Sequence, residues 1–251
     1  VKKLLLLYLV VIGAYLLYAL NFFYGKSQSA LAGESAALAG SLDERYVMVT
    51  FQSGIDYWKG IIKGFEDAAQ VLNVSVEYRG STKYDVREQV TVLEQVIAQK
   101  PAGIALSPMH PEELTPSINK AVDAGIPVVL FDSGAPGSKA YSFLATDNYN
   151  AGMTAARTMA KLIGGKGRVG VVTLPNQWNH QQRTAGFRDT ILAEFPDIQI
   201  AAIKDGKGDR IVSRNAAMEI LDEFPDVKGI FNTDAVGGVG VADGVRLKQK
   251  Q

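Results

Sequence analysis

Short apolar runs alternate with longer amphipathic stretches along most of this chain. The runs 46-YVMVTF-51, 102-AGIALS-107, 127-PVVLFD-132, 168-RVGVVTL-174 and 227-VKGIF-231 have little polar interruption, so they predict strands covered on both faces, as in a parallel sheet. Residues 198–203 predict another strand. Between the runs the period lengthens. Ile62, Phe65, Ala69 and Leu72 share one stripe of a helix over 59–72, and Val86, Val90, Leu93 and Ile97 share one over 86–100. Further helices are predicted over 113–123, 150–163, 181–194, 212–224 and 236–250. Turn-forming clusters such as 123-DAGIP-127 and 164-GGKG-167 precede several strands. The alternation predicts an α/β protein with two parallel sheets, one from about 44 to 145 and a second from about 150 onward.

The N-terminus breaks this pattern. After Lys2 and Lys3, residues 4–25 carry no charge, long enough to cross a bilayer with the N-terminus on the cytoplasmic side. A cleaved signal peptide is the competing reading, because 28-QSALAGESAALAG-40 is rich in small residues. The expected organisation is therefore a membrane anchor or signal segment over 1–25, a linker over 26–43, a first α/β lobe over 44–148 and a second over 149–251.

Charge and composition narrow the function. The chain has 251 residues, with 26 basic and 26 acidic side chains. Three of the basic residues and none of the acidic ones lie in 1–26, so the remainder carries a formal charge of −3. No basic excess draws it to nucleic acid. The absence of cysteine rules out disulfides, thiolate chemistry, thiolate metal sites and a lipidated-cysteine anchor.

Motifs of reaction chemistry are missing. The chain has no G-x-S-x-G, no G-x-x-x-x-G-K-[ST] and no H-E-x-x-H, and no G-x-G-x-x-G follows the first strand. The glycines of 235-AVGGVGVADG-244 follow an acidic loop in a helical pattern, outside the context a nucleotide loop needs. His110 and His180 fall in different loops, which gives no histidine-pair metal motif and leaves only a mixed Asp/His site as an alternative to having none. His180 reads as a surface residue at the rim of a helix start, with a functional hydrogen bond as the alternative, and His110 as a turn or pocket-border residue. Asp147 reads as a helix cap.

Ligands of open parallel sheets bind beyond the carboxyl ends of the strands. The residues predicted there suit polyol recognition. Tyr57, Trp58 and Trp178 offer rings for a sugar face; Asp132, Asn176, Arg183, Asn232 and Asp234 offer planar polar groups for adjacent hydroxyls. Tyr57 and Trp58 are read equally well as packing residues at a helix start.

At these residues the chain resembles the type I periplasmic sugar-binding proteins, a group that includes ribose- and galactose-binding proteins and the ligand-binding cores of lactose-repressor-like regulators. The resemblance is carried by 58-WKGIIKGFEDAA-69, 127-PVVLFDSG-134, 144-LATDNYNAG-152, 183-RTAGF-187 and 229-GIFNTDAVGGVG-240. It implies the two-lobed fold of that group, with each lobe a parallel sheet flanked by helices and the second lobe incomplete at Gln251. It implies sugar stacking by Tyr57 and Trp58 and hydroxyl contacts from Asp132 and Arg183. Asn232, Thr233 and Asp234 stand where the family has an asparagine–aspartate pair. Ser133 replaces the arginine that follows the aspartate in ribose-like members, and Gly208 precedes Asp209 and Arg210 where an aromatic sometimes stands. Both departures bear on which sugar is bound.

The function implied is reversible capture of a sugar or related small polar solute outside the cytoplasmic membrane, without cofactor or turnover, for delivery to an ABC transporter permease. A ligand-sensing subunit for a membrane histidine kinase or chemoreceptor is the first alternative. An enzyme modifying a small molecule on an α/β fold is the second. The membrane-length segment ahead of residue 44 stands where a regulator would carry its DNA-binding domain, so no nucleic-acid partner is expected.

Overall fold

The computed structural model describes residues 12–20 and 39–248. Residues 12–20 are helical, and the rest of the expected anchor and most of the linker lie outside the described residues. Among the described residues no helix is long and apolar enough to cross a membrane.

The first sheet contains β1 (Arg45–Thr50), β2 (Ser75–Gly80), β3 (Gly103–Leu106), β4 (Val128–Phe131) and β5 (Ser142–Leu144). Its order is β2-β1-β3-β4-β5, with every pairing parallel. The second sheet contains β6 (Gly167–Thr173), β7 (Ile198–Asp205) and β8 (Val227–Asn232), in the order β7-β6-β8 and again parallel. The second sheet thus repeats the pattern of β2-β1-β3, in which the chain reverses direction beside its first strand. Such a reversal opens a crevice at the carboxyl ends of the strands.

Six α-helices connect strands, α1 (Lys59–Leu72), α2 (Val86–Ala98), α3 (Pro111–Asp123), α4 (Asn148–Ile163), α5 (Trp178–Glu194) and α6 (Arg210–Glu223), and α7 (Ala235–Leu247) follows β8. Strand alternation determines which helix covers which face. Val47 and Val49 of β1 join Ile104, Leu106, Val128 and Leu130 under Leu93, Val96, Leu114 and Ile118 of α2 and α3. In the second lobe Val169 and Val171 of β6 pack with Ala156, Ala160, Phe187 and Ile191 of α4 and α5. Val172 turns to the other face and packs with Ala217, Ile220 and Val241 of α6 and α7. The β6 strand is buried on both sides, which accounts for its unbroken apolar run.

Two strands lie where the apolar runs gave no signal. In β2 the alternating sequence SVEYRG leaves Arg79 exposed at the sheet edge, and in β5 all three residues are exposed. Helices α3, α4, α5 and α6 also start two or three residues earlier than their apolar stripes. Pro111 occupies the first turn of α3, Asp147 caps α4 through the Asn150 N–H at 3.0 Å, and Asp209 caps α6 through the N–H groups of Ile211 and Val212.

Candidate functional site

The carboxyl ends of β1, β4, β6 and β8 face one another across a cavity of about 110 Å³. The first lobe contributes Phe51, Gln52, Ile55, Tyr57, Tyr84 and Asp132 to its wall. The second contributes Leu174, Gln177, Asn179, His180, Arg183, Gly208 and the start of α7 from Asp234. Two hydrogen bonds join the lobes around it. Tyr84 Oη donates to Gln177 Oε1 at 3.0 Å, and Gln52 Nε2 to the Gly208 carbonyl at 3.4 Å.

Asp132 is aimed by its backbone. It has φ 61°, and the Ser133 N–H closes back to the Phe131 carbonyl at 2.6 Å. Gln52, on the same wall, has φ 43°. Left-handed backbone at side chains other than glycine costs about 1–3 kcal/mol and concentrates at functional sites. The Asp132 carboxylate accepts from Tyr57 Oη at 2.6 Å and from Ser107 Oγ at 3.1 Å. Burial pushes its pKa above the usual carboxylate range, against the lowering effect of these bonds and of Arg183. The Tyr57 phenol is raised in turn, by burial first and then by Asp132.

Arg183 sits in the second turn of α5. Its Nε donates to Asn148 Oδ1 at 2.8 Å and its Nη1 to the Thr233 carbonyl at 2.7 Å. These bonds hold the guanidinium plane from behind and leave Nη2 unengaged. Among the described residues no carboxylate forms an ion pair with it, although its charge is felt at both Asp132 and Asp234. Asp234 accepts from the Gly237 N–H at 2.7 Å as the cap of α7, and burial raises its pKa. A positive fork between two carboxylates from opposite lobes offers donors and acceptors to the hydroxyls of one small solute.

The structure therefore brings Tyr57, Asp132, Arg183 and Asp234 together. It places the other expected site residues elsewhere. Trp58 is fully buried; its Nε1 donates to the Phe51 carbonyl at 2.8 Å, and it packs edge-on against Phe51, Tyr57 and Phe131. Trp178 is turned toward Gly134 and Phe143, lining a separate cavity of about 170 Å³. Asn176 lines a third cavity of about 280 Å³, with Tyr84, His110, Asp205 and Lys207. Thr233 and Asn232 stand behind the wall: the Thr233 carbonyl holds Arg183, and Asn232 Nδ2 bonds the Asp234 carbonyl.

His180 corrects the reading of a surface residue. It is only 5% exposed and lines the main cavity. Its Nδ1 lies 2.9 Å from Thr233 Oγ1, and burial, reinforced by Arg183, pushes its pKa down to about 3. Because α5 begins at Trp178, position 180 is turned inward rather than standing on an exposed helix start. Gln52, Tyr84, Gln177 and Asn179 had no signal in the apolar pattern, since they lie in loops and first turns where burial follows from lobe contact.

Among the described residues, four buried side-chain atoms lack a hydrogen-bond partner: His110 Nδ1, Ser133 Oγ, Asn232 Oδ1 and Asp234 Oδ2. Three belong to loops at the carboxyl ends of strands, and Asn232 is the last residue of β8. Such atoms are rare in folded proteins and mark places where polar groups are held for another purpose. No group of three His, Cys, Asp or Glu side chains among the described residues is placed to hold a metal ion.

Comparison with known proteins gives a consistent picture. Residues 46–251 match the family described as periplasmic binding protein domain. A sugar-binding protein of a sugar ABC transporter from Bacillus halodurans is 63% identical, with a TM-score of 0.74 over 82% of this chain and 71% of that one. AraP, an arabinose-binding protein from Geobacillus stearothermophilus, is 64% identical, with a TM-score of 0.69 over the same shares. The XylFII–LytSN complex contains a chain 27% identical, with a TM-score of 0.77 over 81% of this chain and 75% of that one. Among curated relatives, the D-ribose/D-allose-binding protein of Pseudomonas aeruginosa is 28% identical over 64% of this chain, and the match spans only 52% of that relative's length.

Proposed function

We propose, from the premise that the chain belongs to the periplasmic binding protein domain family, that it captures a single sugar reversibly in the cleft between its lobes, on the outer side of the cytoplasmic membrane. The observation that carries this reading is the Arg183 guanidinium, held from behind by Asn148 and Thr233 and flanked by Asp132 of one lobe and Asp234 of the other. The cavity of about 110 Å³ is well below the roughly 300–1,000 Å³ of pockets for drug-sized ligands, which favours a monosaccharide. The names of the relatives, sugar-binding and arabinose-binding, point the same way.

No reaction is part of this proposal. The one histidine of the cavity is neutral and hydrogen-bonded to a threonine, and among the described residues no Ser, Thr, Cys or Lys side chain lines the cavity. Binding closes the lobes, and a partner reads the closed form. The leading partner is an ABC transporter permease, since the Bacillus halodurans protein is described as part of a sugar ABC transporter. A sensor partner is the second reading, favoured by the solved complex of XylFII with LytSN. Tethering through the N-terminal segment suits either partner.

A calorimetric titration of the chain with arabinose, ribose, allose, xylose, glucose and galactose tests the reading. One or more of these sugars is expected to bind with a single site and to be recovered unchanged. Absence of heat and of thermal stabilisation across the whole panel defeats sugar capture, and conversion of the sugar defeats the non-enzymatic reading.

A further inference from the structure

Among apolar and amide side chains, the main cavity holds two carboxyl groups, one guanidinium and one imidazole, and the role of the imidazole depends on which ring nitrogen carries the proton. The surrounding hydroxyls settle this. Thr233 Oγ1 donates to Thr173 Oγ1 at 2.9 Å, and a hydroxyl has one proton to give. Toward His180 Nδ1, 2.9 Å away, Thr233 Oγ1 is therefore an acceptor, and Nδ1 is the protonated nitrogen. Thr173 Oγ1 lies a further 2.9 Å from Thr184 Oγ1, so the chain of hydroxyls continues into α5 and is held at both ends by secondary structure.

Nε2 is left with a lone pair. Among the described residues no protein group bonds it, and it is not one of the buried atoms without a partner, so it opens onto the cavity that His180 lines. Arg183, three residues further along α5, disfavours a second proton on the ring. The result is a neutral acceptor fixed in orientation, distinct from the carboxyl groups of Asp132 and Asp234.

We infer that His180 Nε2 accepts the proton of one particular sugar hydroxyl and so sets which arrangement of hydroxyls the cleft selects, with Thr233 and Thr173 as positioning residues that lock the tautomer. The inference rests on the sugar-capture reading. A site built to pair with a hydroxyl rejects an analogue that lacks it far more strongly than an apolar pocket rejects a missing methylene. Arg183 and the two carboxylates provide attraction common to many polyols, whereas a single lone pair in a fixed direction discriminates one hydroxyl from its neighbours.

The test pairs two measurements, using arabinose or the panel sugar that binds the wild-type chain most tightly. The first titrates the sugar and its monodeoxy analogues against wild type and His180→Phe. One deoxy position is expected to cost the wild type roughly tenfold or more, and that penalty is expected to shrink to within about threefold in His180→Phe while the penalties at other positions persist. A uniform loss at every position, or an unchanged pattern, overturns the inference. The second needs no disruptive variant. In wild type labelled with ¹⁵N-histidine, with His110→Gln used to assign the signals, His180 is expected to be neutral and protonated on Nδ1, and its Nε2 resonance is expected to shift on saturation with sugar. A proton on Nε2, or an Nε2 signal indifferent to sugar, overturns it. If the wild type binds no sugar of the panel, it is the sugar-capture reading that falls.

Discussion

At the scale of the residue, the cleft keeps polar groups in states that cost folding stability and serve recognition. Asp132 is the clearest case. Its folded pKa is raised by burial, so its stabilising contribution is present only at low pH, below the ordinary carboxylate pKa near 3.9, and is lost as pH rises through the raised value. Once ionised, the buried carboxylate is a burden on the fold and an asset to the ligand. Asp132→Asn is expected to weaken sugar binding by about 1.5–3 kcal/mol while leaving the melting temperature unchanged or higher, as read by calorimetry and thermal unfolding. His180 has the opposite sign. Its folded pKa of about 3 lies below the ordinary value near 6.5, so its contribution is complete above pH 6.5 and drains away as the pH falls toward 3. Below pH 6.5 the wild type is expected to lose up to about 1.4 kcal/mol of stability per pH unit from this group, and His180→Gln is expected to lack that slope. The difference between the two proteins from pH 6.5 to 5 isolates the effect, because the other groups are common to both. The other charged or ionisable groups at the cavity are Arg183, Asp132, Asp234, Tyr57 and Tyr84; the two tyrosines are raised and stay protonated there, and the two aspartates, also raised, contribute with the opposite sign. Thermal melts at stepped pH on both proteins check this.

At the scale of the element, two helix pairs place the second lobe's site residues, and both depend on glycine. A Cβ at Gly186 of α5 would stand 2.0 Å from the Tyr149 carbonyl oxygen of α4, and one at Gly152 of α4 would stand 2.1 Å from the Arg183 carbonyl oxygen. The helices cross backbone to backbone at the turn that carries Arg183. The glycine-rich stretch 235–244 serves the same end: a Cβ at Gly240 of α7 would stand 2.0 Å from the Arg210 carbonyl oxygen of α6. These glycines were visible in the sequence, but their purpose was not, because a contact between backbones leaves no trace in the apolar stripe of either helix. Gly186→Ala replaces a poor helix former with a good one, so any loss comes from the approach distance. It is expected to destabilise the chain by about 1–3 kcal/mol through overpacking and to weaken sugar binding by displacing Arg183. Denaturant unfolding measures the first effect and titration the second; a loss of stability with unchanged affinity would separate the crossing from the site.

At the scale of the whole molecule, the sequence was most informative where burial is two-sided. The β6 run and the stripes of α1 and α2 predicted elements close to those observed, because an apolar period survives when both faces of a strand or one face of a helix are covered. It was silent on β2 and β5, which lie at the sheet edge and keep polar or exposed positions. For the cleft, Tyr57, Asp132, Arg183 and Asp234 were legible as polar or aromatic residues directly after strands, whereas Tyr84 and Gln177 were not. Nothing local marks them, since each acquires its role only when the opposite lobe arrives.

That pair gives the molecule its most direct handle on closure. Tyr84 lines both the main cavity and the larger one beside Asn176, so its bond to Gln177 forms a partition between the two as well as a clasp between the lobes. The Tyr84 phenol is pushed above its usual pKa by burial and by Asp205 and Asp234, so it remains a donor throughout the physiological range. Tyr84→Phe removes that donor and keeps the ring that packs edge-on against Phe51. An intramolecular hydrogen bond of this kind contributes about 0.5–1.5 kcal/mol, and the bond exists only when the lobes meet. The loss should therefore fall on the closed state and appear in the dissociation rate, roughly two- to tenfold faster, while association with the open lobes is nearly unchanged. Stopped-flow tryptophan fluorescence with the panel sugar that binds most tightly separates the two rates. A slower association at constant dissociation would mean that Tyr84 acts on entry into the cleft and not on holding it shut.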